Sequence, residues 1–329
     1  MKLAAWFRSK RAEPRAPNRA AVDALARRTR SLLKAGALDL PAVAGGRTSE
    51  RHTALRDFGR EDLSLARVAE AHTDAIAILA EAAHAARANA LYGVWASDGP
   101  GSQLSIVATA SGDLVLRGTK RYCSGSLFLD AALVTARRGE DRLLVDVPLQ
   151  TRNLSVDTSQ WVSPAFAATA TGTVEFHDVR ISSDQIFGGP GWYLDRPGFW
   201  HGAIGPAACW AGGAIGLVDA ARSARRSNPH VLAHGGALES AAWGLTAMLD
   251  RAGREIDADP RDEHQQARKR ALCVRQLIER TCTDVMDHFG RATGPALLAY
   301  DAAIAQRYAE LTLYIRQCHA ERDLQALAE

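Results

Sequence analysis

The residues best suited to proton transfer sit near the end of the chain and at one point in its middle. Arg316-Gln317-Cys318-His319-Ala320-Glu321-Arg322-Asp323 places a histidine and two carboxylates beside two arginines. On a continuous helix, Arg316, His319 and Asp323 share one face, and Glu321 points elsewhere unless the helix ends there. Glu310 is a further carboxylate on the same segment. His201, in Phe199-Trp200-His201-Gly202, titrates in the range useful to a general base, or can donate a hydrogen bond to a substrate. The same residues also read as surface ion pairs on a solvated terminal helix and as a structural histidine.

A second group is aromatic and hydroxylic: Tyr92-Gly93-Val94-Trp95 and Tyr122-Cys123-Ser124. Taken alone, Tyr122 and Trp95 suit the core of a small β-barrel, and Ser124 suits a turn. Gly188-Gly189-Pro190-Gly191 lacks the Lys-Ser/Thr of a phosphate loop and reads as a linker. Arg225 and Arg226 could meet a phosphate, but they equally suit a solvated helix end. The five cysteines (Cys123, Cys209, Cys273, Cys282, Cys318) are odd in number and form no Cys-x-x-Cys pair. They read as free thiols in a reducing cytoplasm, with no metal site.

The elements that must position these groups change character twice along the chain. From Arg19 to Leu91 the sequence is alanine-rich. Leu65, Val68, Ala69, His72, Ala75, Ile76 and Leu79 recur at helical spacing behind Asp62, a plausible N-cap. From Tyr92 to Phe187 come short Val/Ile/Leu/Thr runs at 105–110, 114–117, 132–136, 143–147 and 171–176, with a tight turn at Ser111-Gly112-Asp113. Helices return at 202–226, 237–256, 265–290 and 297–327. The glycines at 205, 212, 213 and 216 permit close helix packing. The order is α, then β, then α, without the β-α alternation of a dinucleotide-binding fold.

In this order the local sequences resemble the acyl-CoA dehydrogenase family. Asp62-Leu63-Ser64-Leu65-Ala66 resembles its N-terminal helices, and Tyr92–Trp95 the strand opening its middle domain. Gly118-Thr119-Lys120-Arg121-Tyr122-Cys123-Ser124 resembles its Gly-x-Lys-x-aromatic-x-Ser/Thr stretch. Thr171–Phe176 with Asp178–Ile181 resembles its closing strands, and Gly290-Arg291-Ala292-Thr293-Gly294 its glycine-rich turn. The resemblance implies an α+β multidomain protein: a tail (1–18), an N-terminal helical domain (19–90), a central antiparallel β-barrel (91–188) and a C-terminal helical bundle (189–329). It implies FAD held by Tyr92, Val94, Trp95, Tyr122, Cys123 and Ser124, with Arg291 and Gly294 near a neighbouring subunit's dinucleotide. Oxidation of an acyl-CoA or acyl-carrier thioester would follow, with Glu321, His319 or His201 as base. A homodimer or homotetramer and an electron-accepting flavoprotein partner are implied too.

Two family signatures are missing: the Glu-Gly-Thr that carries the usual base, and the Arg-x-Gln-Phe-Gly of the pyrophosphate site. Their absence fits two alternatives on the same fold, a flavin-dependent monooxygenase and a non-catalytic scaffold. A net charge of +3 excludes the electrostatic footprint of a dedicated nucleic-acid binder. The basic residues Arg8, Lys10, Arg11, Arg15 and Arg19 read as a solvated tail. No membrane span is expected, and a soluble cytoplasmic protein is.

Overall fold

The computed structural model describes residues 18–97, 99–224 and 228–329. The basic residues before position 18, together with Arg225 and Arg226, lie outside the described residues.

Helix α1 (Arg19–Lys34) starts at Asn18, whose side chain accepts from the Ala21 amide. Helices α2 (Thr48–Glu61) and α3 (Leu63–Glu81) meet at Asp62, an extended residue that caps α3 by accepting from Leu65 N at 3.0 Å. The predicted α3 stripe is buried apart from Ile76, which is 37% exposed, while Ile78 takes an interior place. His72 is interior as well, and its Nδ1 accepts from the Tyr92 amide.

Eight strands follow: β1 (Tyr92–Trp95), β2 (Gln103–Ala108), β3 (Leu114–Cys123), β4 (Ala131–Arg138), β5 (Asp141–Pro148), β6 (Leu154–Asp157), β7 (Gly172–Ile181) and β8 (Ile186–Phe187). Their order is β6-β7-β3-β2-β4-β5-β8, with β1 also on β4. The sheet is mixed, which corrects the antiparallel expectation. Both β1 and β2 run parallel to β4, β1 over Tyr92–Trp95 and β2 through Ser105 opposite Arg137. They occupy successive lengths of one β4 edge, as a strand interrupted by a loop. Among the described residues the pairings form an open path from β6 to β8 rather than a closed barrel.

The remaining helices are α4 (Trp192–Asp195), α5 (Pro197–Gly202), α6 (Ile204–Ser223), α7 (Pro229–Ala258), α8 (Ala267–Thr293), α9 (Pro295–Tyr300), α10 (Ala302–Tyr314) and α11 (Glu321–Ala328). The single terminal helix expected over 297–327 is broken twice. Asp301 caps α10 through the Ala303 and Ile304 amides, and Ala320 adopts a φ of 39° before α11.

The first and last helical segments share one core, where Leu55, Leu63 and Ala66 pack with Trp210, Ile215, Leu249 and Val285. Glycine makes the α2–α6 crossing possible. A Cβ on Gly59 would lie 2.2 Å from the Cys209 carbonyl oxygen, and one on Gly212 would lie 1.9 Å from that of Arg56. Gly212 and Gly213 are therefore used in packing within the chain, against α2 and the Leu63 side chain. The stretch Pro197–Ser223 is long and apolar enough to cross a membrane, contrary to expectation, but 78% of its apolar window is buried inside the protein.

Candidate active site

Strand β3 ends irregularly. Its pairing with β7 shifts between Lys120 and Cys123, and Tyr122 sits in this bulge at a φ of 61°, 51% exposed as a residue. A bulky residue in the left-handed region is strained, and such strain clusters at binding sites. The ring borders a shallow recess of about 60 Å³ shared with Arg121, Trp161, Thr171 and Thr173.

Behind Tyr122, the Ser124 hydroxyl accepts from Arg67 Nε at 3.0 Å and meets the Thr171 hydroxyl at 2.9 Å. Thr171 continues to the Thr169 hydroxyl at 2.8 Å, and the Trp95 indole N–H donates to the Ser124 carbonyl at 3.1 Å. The Arg67 guanidinium lies over the rings of Phe166 (5.5 Å) and Tyr314 (5.3 Å). This network joins the sheet to α3 and α10.

One turn further along α3, Glu70 and then Asp74 face a cavity of about 320 Å³. Tyr193, Phe199 and Trp200 give it an aromatic wall, and Arg196 and Arg275 flank it. Arg275 donates to the carbonyls of Ala203 (2.6 Å) and Gln317 (2.9 Å) and stacks on Trp210 at 4.8 Å. Arg196 donates to Glu81 and lies over Trp192 and Tyr193. Burial, reinforced by Asp74, pushes Glu70 up to about 8, against the pull of Arg51, Arg67 and Arg275. Burial raises Asp74 too, opposed by Arg196 and Arg51. Both side chains keep some exposure to the cavity, so water there moderates these shifts.

Of the anticipated bases, only His319 reaches this cavity. It stands on the rim, its backbone N–H donating to Asp323 at 3.2 Å. Burial and Arg322 lower its pKa, against Asp323. Arg316 turns away to Glu279, so the expected Arg316–His319–Asp323 face does not form. Glu321 opens α11 on the exposed side and does not line the cavity. His201 is buried, and the charges around it are Arg270, Asp262 and Asp259 near the α7–α8 connection. Burial and then Arg270 lower its pKa, and neither ring nitrogen completes a well-formed hydrogen bond. Glu310 is a buried tie, accepting from the Ser64 hydroxyl and the Phe166 amide.

Among the anticipated cofactor residues, Tyr122, Ser124 and Trp95 belong to the recess or its supporting network. Tyr92 is interior, with its hydroxyl between the Arg87 amide and Asp146. Val94 is half-buried on β1, and the Cys123 thiol is buried, which raises its pKa. Arg291 pairs with Asp287 on the surface, and Gly294 links α8 to α9; neither borders the recess or the cavity.

Arg67, Glu70, Asp74, Arg196 and Arg275 were not anticipated. The available signal was on α3, where Arg67, Glu70 and Asp74 fall at i, i+3 and i+7 of a mainly apolar helix.

No known family profile matches the chain. Part of it is similar to dibenzothiophene monooxygenase from Rhodococcus qingshengii, 26% identical over 138 residues. That stretch is 38% of this chain and spans about a third (33%) of the relative's length. Methanesulfinate monooxygenase MsuC from Pseudomonas fluorescens superposes with a TM-score of 0.77 at 18% identity, over 94% of this chain and 95% of that one. TdsC from Paenibacillus sp. A11-2, in complex with FMN and indole, superposes with a TM-score of 0.76 at 17% identity, over 94% and 95% of the two chains. Identity at this level speaks to architecture, and the chain has the acyl-CoA dehydrogenase-like fold that MsuC and TdsC share.

Proposed function

We propose that this chain is a flavin-dependent monooxygenase that uses reduced FMN and oxygen, rather than an acyl thioester dehydrogenase. The observation that carries this reading is the strained, exposed Tyr122 over the Ser124–Thr171–Arg67 network, one helical turn from the cavity. The donor set fits a flavin: Tyr122 and Trp161 offer flat rings, Thr171 and Thr173 offer hydroxyls, and Arg121 offers a cation. Bound reduced flavin supplies the two electrons that let one oxygen atom of O₂ enter the substrate while the other leaves as water.

The protein's own part is positioning and proton handling. Arg67 fixes the Ser124 hydroxyl, leaving its proton free to point at Thr171 or at a ligand. The aromatic wall of Tyr193, Phe199 and Trp200 offers an apolar surface on one side of the cavity. Glu70 and Asp74 can hold or take a proton there, and His319 stands at the rim. Glu321, the carboxylate anticipated as a base for dehydrogenation, stands outside the cavity, and Glu70 and Asp74 face it instead. FMN-bound TdsC and the sequence likeness to dibenzothiophene monooxygenase support the oxygenase reading.

Fluorescence titration with FMN and FAD, in oxidised and reduced states, tests the proposal. FMN should bind, and Tyr122→Ala should weaken it about tenfold while leaving the fold intact. Oxygen uptake should require a flavin reductase, and acyl-CoAs should not bleach the flavin. Bleaching by an acyl-CoA would restore the dehydrogenase reading, and absence of flavin binding in either redox state would leave a scaffold.

A further inference from the structure

The two helices that end the described chain are fastened to its body in different ways. Helix α10 is tied across the fold. Glu310 accepts from the Ser64 hydroxyl and the Phe166 amide, and Arg307 donates to the carbonyls of Gly59 and Glu61. Helix α11 has no such tie. Among the described residues, every hydrogen bond and ion pair made by 319–329 closes within 318–329. Asp323 accepts from the His319 amide at 3.2 Å and from the Cys318 thiol at 3.9 Å, and Gln325 donates to Glu329. What holds α11 down is packing against α8 and the attraction between Arg275 and Asp323.

The same segment borders the cavity of about 320 Å³, which His319, Arg322 and Asp323 line. Its join to the body is strained. Ala320, between His319 and Glu321, adopts φ 39° and ψ −100°, outside the regions open to a residue with a Cβ. Immediately before the join the chain is anchored. Arg275 donates to the Gln317 carbonyl at 2.9 Å, and Arg316 pairs with Glu279 at 2.6 Å. A fixed root, a strained residue and a helix without polar ties to the body are the parts of a hinge.

We propose that residues 319–329 form a strap that swings on Cys318–Ala320 to admit a ligand to the cavity. The structure holds the strap closed. Strain at Ala320 works against that state, and packing on α8 with the Asp323 contacts works for it, so opening needs no unfolding of the body. Closure carries His319 and Arg322 to the cavity, and the rim is complete only when the strap is down. The movement controls entry whatever reaction the cavity supports, and it stands or falls separately from the oxygenase reading.

The chain's own thiols can report the movement. Cys318 is buried at the hinge beneath Asp323, whereas Cys282 is buried in the core shared by the first and last helical segments. Ala203→Cys adds a thiol on the cavity wall. Pulse labelling with iodoacetamide, read peptide by peptide by mass, compares the three. Cys318 and the cavity thiol should label at like rates, about a hundredfold or more faster than Cys282, which waits for global unfolding. Ala320→Gly relieves the strain and should slow both about fivefold. Asp323→Ala removes the fastening and should speed both about tenfold. Cys282 labelling checks the body in each variant. Where Ala203→Cys itself speeds Cys282, Pro206→Cys replaces it on the same wall. Cys318 labelling no faster than Cys282 would mean that the strap opens only on unfolding. No slowing of Cys318 in Ala320→Gly would remove the hinge. A cavity thiol that labels faster than Cys318, or ignores both variants, would place the entrance elsewhere. Each of these results overturns the proposal.

Discussion

Between Cys209 and Gly216, the small residues of α6 are closed over: Gly212 abuts the backbone of α2, Gly213 the Leu63 side chain and Gly216 the Arg307 guanidinium. A few residues earlier, Gly202, Ala203 and Pro206 border a cavity with Gly205 buried beside them, and what faces the two glycines first is the flexible end of a carboxylate. A Cβ on Gly205 would lie 3.2 Å from Glu70 Oε1, and one on Gly202 3.1 Å from Asp74 Oδ1. Small residues thus bring backbones together in one half of the segment and border open space in the other. Composition alone does not distinguish the two uses, because the difference lies in what stands opposite.

The contrast breaks most readily at Gly212. Its Cβ would collide with the Arg56 carbonyl and the Arg60 amide, and backbone cannot swing aside. Gly212→Ala should cost about 3 kcal/mol as α2 and α6 are pushed apart. Urea unfolding would show this as a lower midpoint at unchanged slope. A loss of less than about 0.5 kcal/mol would mean that the crossing yields and that the two halves are alike.

A second test sharpens the open half through pH. The folded pKa of Glu70 lies above its usual value, so the folded chain binds that proton more tightly than the unfolded chain does. Its contribution is therefore fully present below about 4.5 and is lost as pH rises through about 8. Glu70→Gln should flatten the fall in stability across that window. The difference is about 1.4 kcal/mol for each pKa unit that survives hydration of the cavity. Urea midpoints of parent and variant between pH 5 and 9 measure it, and parallel profiles would show that Glu70 is effectively solvated.

The smallest effect belongs to Gly205→Ala. The new methyl meets the flexible Glu70 carboxylate at 3.2 Å and the Leu55 side chain at an ordinary contact distance of 3.5 Å, and alanine favours a helix by about 1 kcal/mol over glycine. Stability should hold or rise by up to that amount, read as the urea midpoint. A destabilisation as large as that of Gly212→Ala would show that the start of α6 is packed as tightly as the crossing.

What was legible in the sequence was local. Asp62 announces α3 and Gly112 the β2–β3 turn, because each depends on neighbouring residues only, while β1 over Tyr92–Trp95 was read through the family resemblance. The parallel pairing of β1 and β2 with β4 was not legible, since register across so many residues is decided by the packed sheet. The break at Cys318–Ala320 was hidden because no glycine or proline marks it; alanine takes the left-handed turn. Tyr122 and Ser124 were singled out through their motif, and they lie at the recess and behind it. Glu70 and Asp74 were passed over because charges at helical spacing look the same whether they face solvent or a cavity. His201 was overvalued for its place at the head of an apolar helix, when its partners lie near the α7–α8 connection.

The α2–α6 crossing also has a kinetic side. Cys209 lies against Ala66 from 143 residues earlier, and Arg307 donates to the Gly59 carbonyl across 248. During synthesis, α2 and α3 leave the ribosome long before the helices that cover them exist. Leu55 and Leu63 must wait, exposed, until α6 arrives. The glycines that let the helices meet at backbone distance demand an accurate fit, so docking cannot begin from a loose approximation. Folding of the first helices is therefore tied to the last third of the chain, and that delay is when the nascent protein is most open to aggregation or to a chaperone.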